Sequence, residues 1–239
     1  IATSCNGYFC WGLYYMFSNR HKYRNVQDAM TRWKDYMVSM GFGYKLGIDL
    51  PGEKRGMIPN AQFYDKAYKG SWNGLTVISI SIGQGEVNLT PLQIANLGAT
   101  IANRGYYYVP HIVRQIQDTP LDTLYTHKHY TMVESQHYET VVEGMRRSVL
   151  GGTCRAANNP WYEVCGKTGT AQNPHGQDHS VFMGFAPRDI PKIAICVYVE
   201  NGGWGANYGV PIGALMIEQY INGHLSPESE HKAETFQNK

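Results

Sequence analysis

Apolar positions recur at helical spacing through the first two thirds of the chain and switch to alternation near its end. Phe9, Gly12, Leu13, Met16, Phe17 and Arg20 keep the 3–4 spacing of one helix. Val26, Ala29, Met30, Trp33, Met37 and Met40 form a second stripe, stopped by Gly41 and Gly43, whose Met and Trp side chains are expected to pack in a core. Residues 44–74 are rich in Gly, Pro, Lys and Tyr and have no period, so a long surface excursion is expected there. Thr90 fits an N-cap, Pro91 the first helical position and Gly105 the stop of a third helix. Tyr106–Val109 and Ile112–Ile116 read as short strands, and Tyr138, Val141, Val142, Met145 and Val149 as a helix closed by Gly151 and Gly152. From residue 162 the period becomes two, giving strands over Tyr162–Gln172, Ser180–Ala186 and Lys192–Glu200. A last helix opens at Pro211 and ends at Gly223, and the polar residues 224–239 are expected to be disordered. Helices, three consecutive strands and a closing helix predict an α+β fold with an antiparallel sheet flanked by helices.

Composition narrows this picture without redirecting it. A chain of 239 residues with 43% hydrophobic content can bury one substantial core, and one domain is expected. The net charge is only +2, with Lys and Arg scattered, which argues against a nucleic-acid partner. No apolar run reaches the length of a membrane span, and Ile1-Ala2-Thr3 carries no signal peptide. The five cysteines are odd in number and lack C-x-x-C spacing, which disfavours a zinc ribbon and a disulfide framework. Cys154 and Cys165 could pair just before the first long strand, although buried free thiols are the preferred reading. Gly83-x-Gly85 lacks the third glycine and acidic partner of a nucleotide loop.

Two short motifs carry the chemistry. Ser4-Cys5-Asn6 taken alone is a helix N-cap, and Lys167-Thr168-Gly169-Thr170 taken alone is a common strand sequence. In this order they supply two of the three elements of serine acyl-transfer enzymes that act on D-Ala-D-Ala peptides and β-lactams. Ser4 and Asn6 are too close to share a helical face, so a loop or cap is expected to aim both into one cleft. A hydroxyl there can pass a proton between amines, and a carboxamide can hold an amide carbonyl and a lysine. Alternation puts Thr168 and Thr170 on one face of a strand, and Gly169 leaves room for a peptide added alongside. Lys167 suits a substrate carboxylate, and the Thr170 N–H an oxyanion. The third element, the Ser-x-x-Lys nucleophile, occurs only as Ser229-Glu230-His231-Lys232, after the other motifs and in the polar tail. The nucleophile is therefore expected to lie upstream, outside this sequence, and the chain alone to be inactive.

Further blocks extend the match: Gly41-Phe42-Gly43, Gly47-Ile48-Asp49-Leu50-Pro51-Gly52, Ile82-Gly83-Gln84-Gly85, Thr90-Pro91-Leu92-Gln93, Gly184-Phe185-Ala186-Pro187 and Val199-Glu200-Asn201-Gly202-Gly203. With them the chain resembles the C-terminal part of the transpeptidase domain of class B penicillin-binding proteins of the elongation type, the penicillin-binding protein 2 group. The resemblance implies the penicillin-binding protein/serine β-lactamase-like transpeptidase fold, N-terminally truncated, with residues 1–223 as a partial domain. It implies a peptidoglycan D,D-transpeptidase that crosslinks stem peptides during cell elongation through a serine acyl-enzyme and binds penicillin. Ser4, Asn6 and Lys167 would be catalytic, and Lys167, Thr168, Gly169, Thr170, Gln172 and His179 would bind substrate. Asp178 and His179 flank the cleft in this family, although a structural polar pair is the preferred reading. No cofactor is implied, with zinc at Cys5, completed by upstream His or Asp ligands, as the alternative. The implied partners are peptidoglycan stem peptides, β-lactam antibiotics and a membrane glycan polymerase. The implied location is the periplasmic face of the bacterial inner membrane, with an N-terminal anchor absent from this chain. The competing readings are a β-lactamase or β-lactam sensor, and a non-catalytic module of the same fold.

Overall fold

A computed structural model describes residues 1–237. Packing divides them into two compact units. The first unit comprises Ile1–Ser4, Ile94–Gly105 and the chain from Ser135 onward, and the second comprises Cys5–Gln93 and Tyr106–Glu134.

The first unit is built on a three-stranded antiparallel sheet of β3 (Cys165–Ala171), β4 (His179–Ala186) and β5 (Ile193–Val199), in that order. The three predicted strands are all present, within three residues of their expected starts, and the α+β layout holds. Register pairs Thr168 with Phe182 and Phe182 with Val197, so these side chains share one face. On that face α6 (Tyr138–Gly151) and α7 (Gly209–Asn222) contribute Val149, Val210 and Ile217 to a core with Phe182, Ile195 and Val197. The opposite face meets α4 (Pro91–Ala102), where Gly98 lies against Met183 and Ala194. Gly223 takes the left-handed conformation, with φ +78°, that ends α7 as the sequence predicts.

The polar tail departs from expectation. Pro227–Gln237 form a helix, α8, rather than a disordered segment. Its anchor is Glu218 of α7, whose carboxylate accepts the Ser226 N–H at 2.8 Å and the Ser229 hydroxyl at 2.6 Å. Burial pushes the Glu218 pKa up, but these bonds outweigh it and hold the carboxyl below its ordinary range. Lys232 and Glu228 add an i,i+4 pair at 2.7 Å. Residues 238–239 of the predicted tail lie outside the described residues.

In the second unit, α1 (Asn6–Ser18) and α2 (Val26–Ser39) occupy the predicted spans, and Phe17, Ala29, Met30 and Trp33 are buried. The 44–74 segment is more regular than its composition suggests. It contains α3 (Ala61–Tyr68), capped by Asn60, with Tyr64 fully buried. Carboxylates and one carboxamide hold the rest: Glu53 accepts the N–H groups of Leu46, Gly47 and Ile48. Gln93, 1% exposed, forms a capping box with Thr90 and donates to the carbonyls of Tyr44 and Arg55.

Of the two strands expected after residue 105, only Tyr106–Tyr107 forms (β1), pairing with His129–Tyr130 (β2); a single turn, α5 (Thr123–Thr126), lies between them. Ile112–Ile116 is not a strand, because the Ile112 and Val113 N–H groups donate to the Asp49 carboxylate instead. Those bonds hold the Asp49 pKa below its ordinary value.

Candidate active site around Ser4 and Lys167

The chain approaches α1 through a strained turn. Ser4 has φ +53°, a left-handed conformation that non-glycine residues adopt at a cost. Three contacts within the first unit impose it. The Ser4 N–H donates to the Ile1 carbonyl at 3.1 Å, and the Thr153 N–H donates to the Ala2 carbonyl at 3.3 Å. Gly144 of α6 leaves space for Ile1, whose side chain would stand 3.0 Å from any Cβ added there. The turn aims the hydroxyl of Ser4 at β3, where Lys167 Nζ donates to it at 2.7 Å. This bond decides against the plain helix-cap reading of Ser-Cys-Asn. The N-cap of α1 is Cys5, and its side chain makes no capping bond.

On β3, alternation places Lys167 and Gly169 on one face and Thr168 and Thr170 on the other, as predicted. The lysine chain bends back so that Nζ also donates to the Thr168 carbonyl at 2.6 Å and approaches Thr168 Oγ1 at 3.4 Å. Thr168 in turn donates to the Thr153 hydroxyl at 2.9 Å. Among the described residues β3 pairs with β4 alone, so it is an edge strand of the sheet. The Thr168–Thr170 face is less open than the sequence suggests. The loop after β5 crosses it: the Gly205 N–H donates to Thr170 Oγ1 at 3.3 Å, and a Cβ on Gly205 would lie 2.5 Å from the Gly169 carbonyl oxygen. Only glycine fits there.

The remaining predicted residues divide. Gln172 is exposed just past the end of β3. His179 opens β4; its Nδ1 accepts the Asn201 N–H at 3.0 Å and its ring lies 5.3 Å from that of Tyr198. Asp178 accepts the Asn173 N–H at 3.1 Å, which fits the structural reading of that residue. Asn6 is exposed at the first residue of α1, in the second unit. Ser229 donates to Glu218 and Lys232 to Glu228, rather than the two engaging each other.

Burial shapes the electrostatics. Desolvation lowers the Lys167 pKa from 10.5, partly offset by the nearby Cys154. Cys154 and Cys165 are both free and fully buried, so they do not pair. Burial raises both thiols, Cys165 to about 12. Cys5 is exposed, and among the described residues no group of three His, Cys, Asp or Glu side chains is placed to hold a metal. Because the thiolate is the reactive form, a disulfide-exchange reagent at pH 8 should modify Cys5 first and leave Cys154 and Cys165 untouched until denaturant is added. Mass mapping of the modified peptides checks this, and rapid labelling of Cys154 would contradict the buried site.

The sequence pattern of the penicillin binding protein transpeptidase domain matches residues 2–218. The chain belongs to that family. Among its relatives, the peptidoglycan D,D-transpeptidase MrdA of Acinetobacter baumannii is 35% identical over 87% of this chain and 32% of that protein. MrdA of Haemophilus influenzae is 30% identical over 89% of the chain and 35% of that protein. The chain thus spans about a third of the length of the curated relatives it matches. Its fold superposes on Pseudomonas aeruginosa PBP2, solved in complex with WCK 5153, with a TM-score of 0.74, 30% identity and coverage of 92% of this chain and 49% of that one. Thr153 and Gly205 are the site's contributors that sequence reading missed. Thr153 follows the Gly151-Gly152 helix stop and Gly205 lies two residues past the Val199–Gly203 block, and neither carries a signal of its own in the sequence.

Proposed function

We propose that this chain forms the proton-relay and carboxylate-binding part of a peptidoglycan D,D-transpeptidase of the elongation type. The observation that carries the reading is the 2.7 Å bond from Lys167 Nζ to Ser4 Oγ, which joins two motifs 163 residues apart. In this reading Lys167, Thr168 and Thr170 receive the terminal carboxylate of a stem peptide laid along the outer edge of β3, beside Gly169. Ser4 passes a proton between the attacking serine's base and the leaving amine, with Lys167 polarising its hydroxyl. Asn6 orients the substrate amide, the Thr170 N–H stabilises the oxyanion, and Gln172 and His179 border the peptide. The acylated serine comes from a Ser-x-x-Lys outside residues 1–239, since Ser229 is held by Glu218.

A β-lactam enters the same site because its carboxylate and strained amide stand in for those of the peptide. The chemistry is serine acyl transfer without a cofactor. Related assemblies support the wider reading. One structural neighbour, at TM-score 0.75 and 28% identity, comes from a study of polymerization and crosslinking by a peptidoglycan synthase complex. A Helicobacter pylori PBP2 was solved in complex with MreC. In this reading the protein that carries this chain works with a membrane glycan polymerase at the periplasmic face of the inner membrane.

The test is a transpeptidation assay on the gene product that carries this chain, with a pentapeptide ending in D-Ala-D-Ala and an amine acceptor. Release of D-alanine with formation of the crosslinked product is expected, and Ser4→Ala should slow both by roughly 10²–10⁴-fold, the usual value of a positioned proton relay. Rapid turnover of penicillin without a lasting acyl-enzyme would instead make the protein a β-lactamase. No acylation at all would make it a non-catalytic module.

A further inference from the structure

Thr153 sits at the meeting point of three elements that the proposed chemistry needs together. It follows α6 after Gly151-Gly152, and both its backbone and its side chain are engaged. The backbone N–H holds the Ala2 carbonyl and so fixes the turn that presents Ser4. A Cβ on Gly152 would collide with that same carbonyl, so the close approach depends on glycine. The side-chain hydroxyl accepts from Thr168 at 2.9 Å and lies 3.3 Å from the hydroxyl of Ser148, which is fully buried.

The bonds among Lys167, Thr168 and Thr153 have a fixed direction. The Lys167 ammonium can only donate, so Thr168 Oγ1 accepts from it and sends its own proton to Thr153. Thr153 and Ser148 lie 3.3 Å apart, and either hydroxyl can donate to the other. The sequence Lys167, Thr168, Thr153 is a directed chain in which each donor polarises the next group. It leaves the lone pairs of Thr168 turned toward Lys167 and its hydrogen turned away.

We propose that Thr153 is a positioning residue for acyl transfer: its hydroxyl orients Thr168 to receive Lys167, and its N–H sets the Ser4 turn. This inference rests on the reading of Ser4 and Lys167 as an acyl-transfer pair. Thr153 itself touches neither substrate nor reacting atoms. Without its hydroxyl, Thr168 is free to rotate its hydrogen toward the ammonium side, where it repels the lysine it should receive. The ammonium is then less well held in a site that already disfavours its charge.

Thr153→Val keeps the shape and the N–H and removes only the hydroxyl; Thr153→Ser restores the hydroxyl. In the gene product that carries this chain, Thr153→Val should slow acylation by a fluorescent penicillin about tenfold, the value of one lost hydrogen bond. The basic limb of its pH–rate profile should move to lower pH. Thr153→Ser should return both to wild type, within about twofold. In a Thr168→Val background, where the chain is already broken, Thr153→Val should have no further effect. The proposal is overturned if Thr153→Val acylates at the wild-type rate with an unmoved basic limb. Equal loss in Thr153→Val and Thr153→Ser, or an undiminished effect in the Thr168→Val background, overturns it as well, and the last two outcomes also decide the matter if Thr153→Val melts early. An unlabelled wild-type protein would instead sink the acyl-transfer reading, and this inference with it.

Discussion

Lys167→Ala should slow acylation by penicillin roughly 10²–10³-fold, the usual loss when one preorganised charge or donor is removed from a reacting centre. The fold should notice far less. The lysine gives up bonds to Ser4 Oγ, Thr168 O and Thr168 Oγ1, but the substitution also removes a charge whose burial is unfavourable. The two effects oppose one another, and the melting midpoint should move by no more than about 4 °C. A fall in stability that parallels the loss of acylation would mean that Lys167 is a structural partner of Ser4 and nothing more.

The same burial makes a pH prediction with opposite signs for activity and stability. Lys167 binds its proton less tightly in the folded chain than in the unfolded one, whose lysine titrates near 10.5. Between the lowered native pKa and 10.5 the unfolded state therefore carries more protons, so stability from this group rises with pH through that window. Recognition of a carboxylate is lost through the same window, because the charge that binds it disappears. The basic limb of acylation should lie below 10.5 and should be absent from Lys167→Ala.

Phe182→Ala should be the most damaging single truncation in the sheet, at about 3–5 kcal/mol. The ring is completely buried and sits in a slot that three glycines make possible. A Cβ on Gly166 of β3 or Gly184 of β4 would stand 2.5 Å from the ring, and one on Gly213 of α7 would collide with it. Backbone packed that closely cannot collapse into the space left behind, so the cavity term should be retained nearly in full. Phe182 is also the register partner of Thr168, which places the cavity beside the strand that carries the site, on its Thr168 face. Denaturant unfolding should report the loss, with a midpoint roughly 6–20 °C lower on heating. A cost near 1 kcal/mol would show that α7 and β3 relax freely and that the glycine slot is not what fixes the strand.

Much of this arrangement is legible in the order of residues, for a physical reason. The strands of the sheet announce themselves because one face of each is buried and side chains alternate. Thr90 and Gly223 mark helix ends because the backbone groups they satisfy are local. Ser-x-Asn and Lys-Thr-Gly are legible because the chemistry demands particular functional groups rather than hydrophobicity. What escaped depends on contacts between distant residues. Helix α8 is polar in sequence and forms because Glu218 receives Ser226 and Ser229. The 44–60 segment looks irregular because Glu53 and Gln93, rather than an apolar period, hold it. Thr153 is a plain residue after a helix until β3 brings Thr168 within 2.9 Å of its hydroxyl.

The central claim is that Lys167, Thr168 and Thr170 form an anion site beside the Ser4 relay, and a crystal structure of the penicillin acyl-enzyme tests it most directly. The account predicts the penicillin carboxylate within hydrogen-bond distance, about 2.7–3.2 Å, of Lys167 Nζ or of the Thr168 and Thr170 hydroxyls, with the Thr170 N–H on the acyl oxygen. A carboxylate bound elsewhere, with Lys167 still directed only to Ser4 and Thr168, would contradict it.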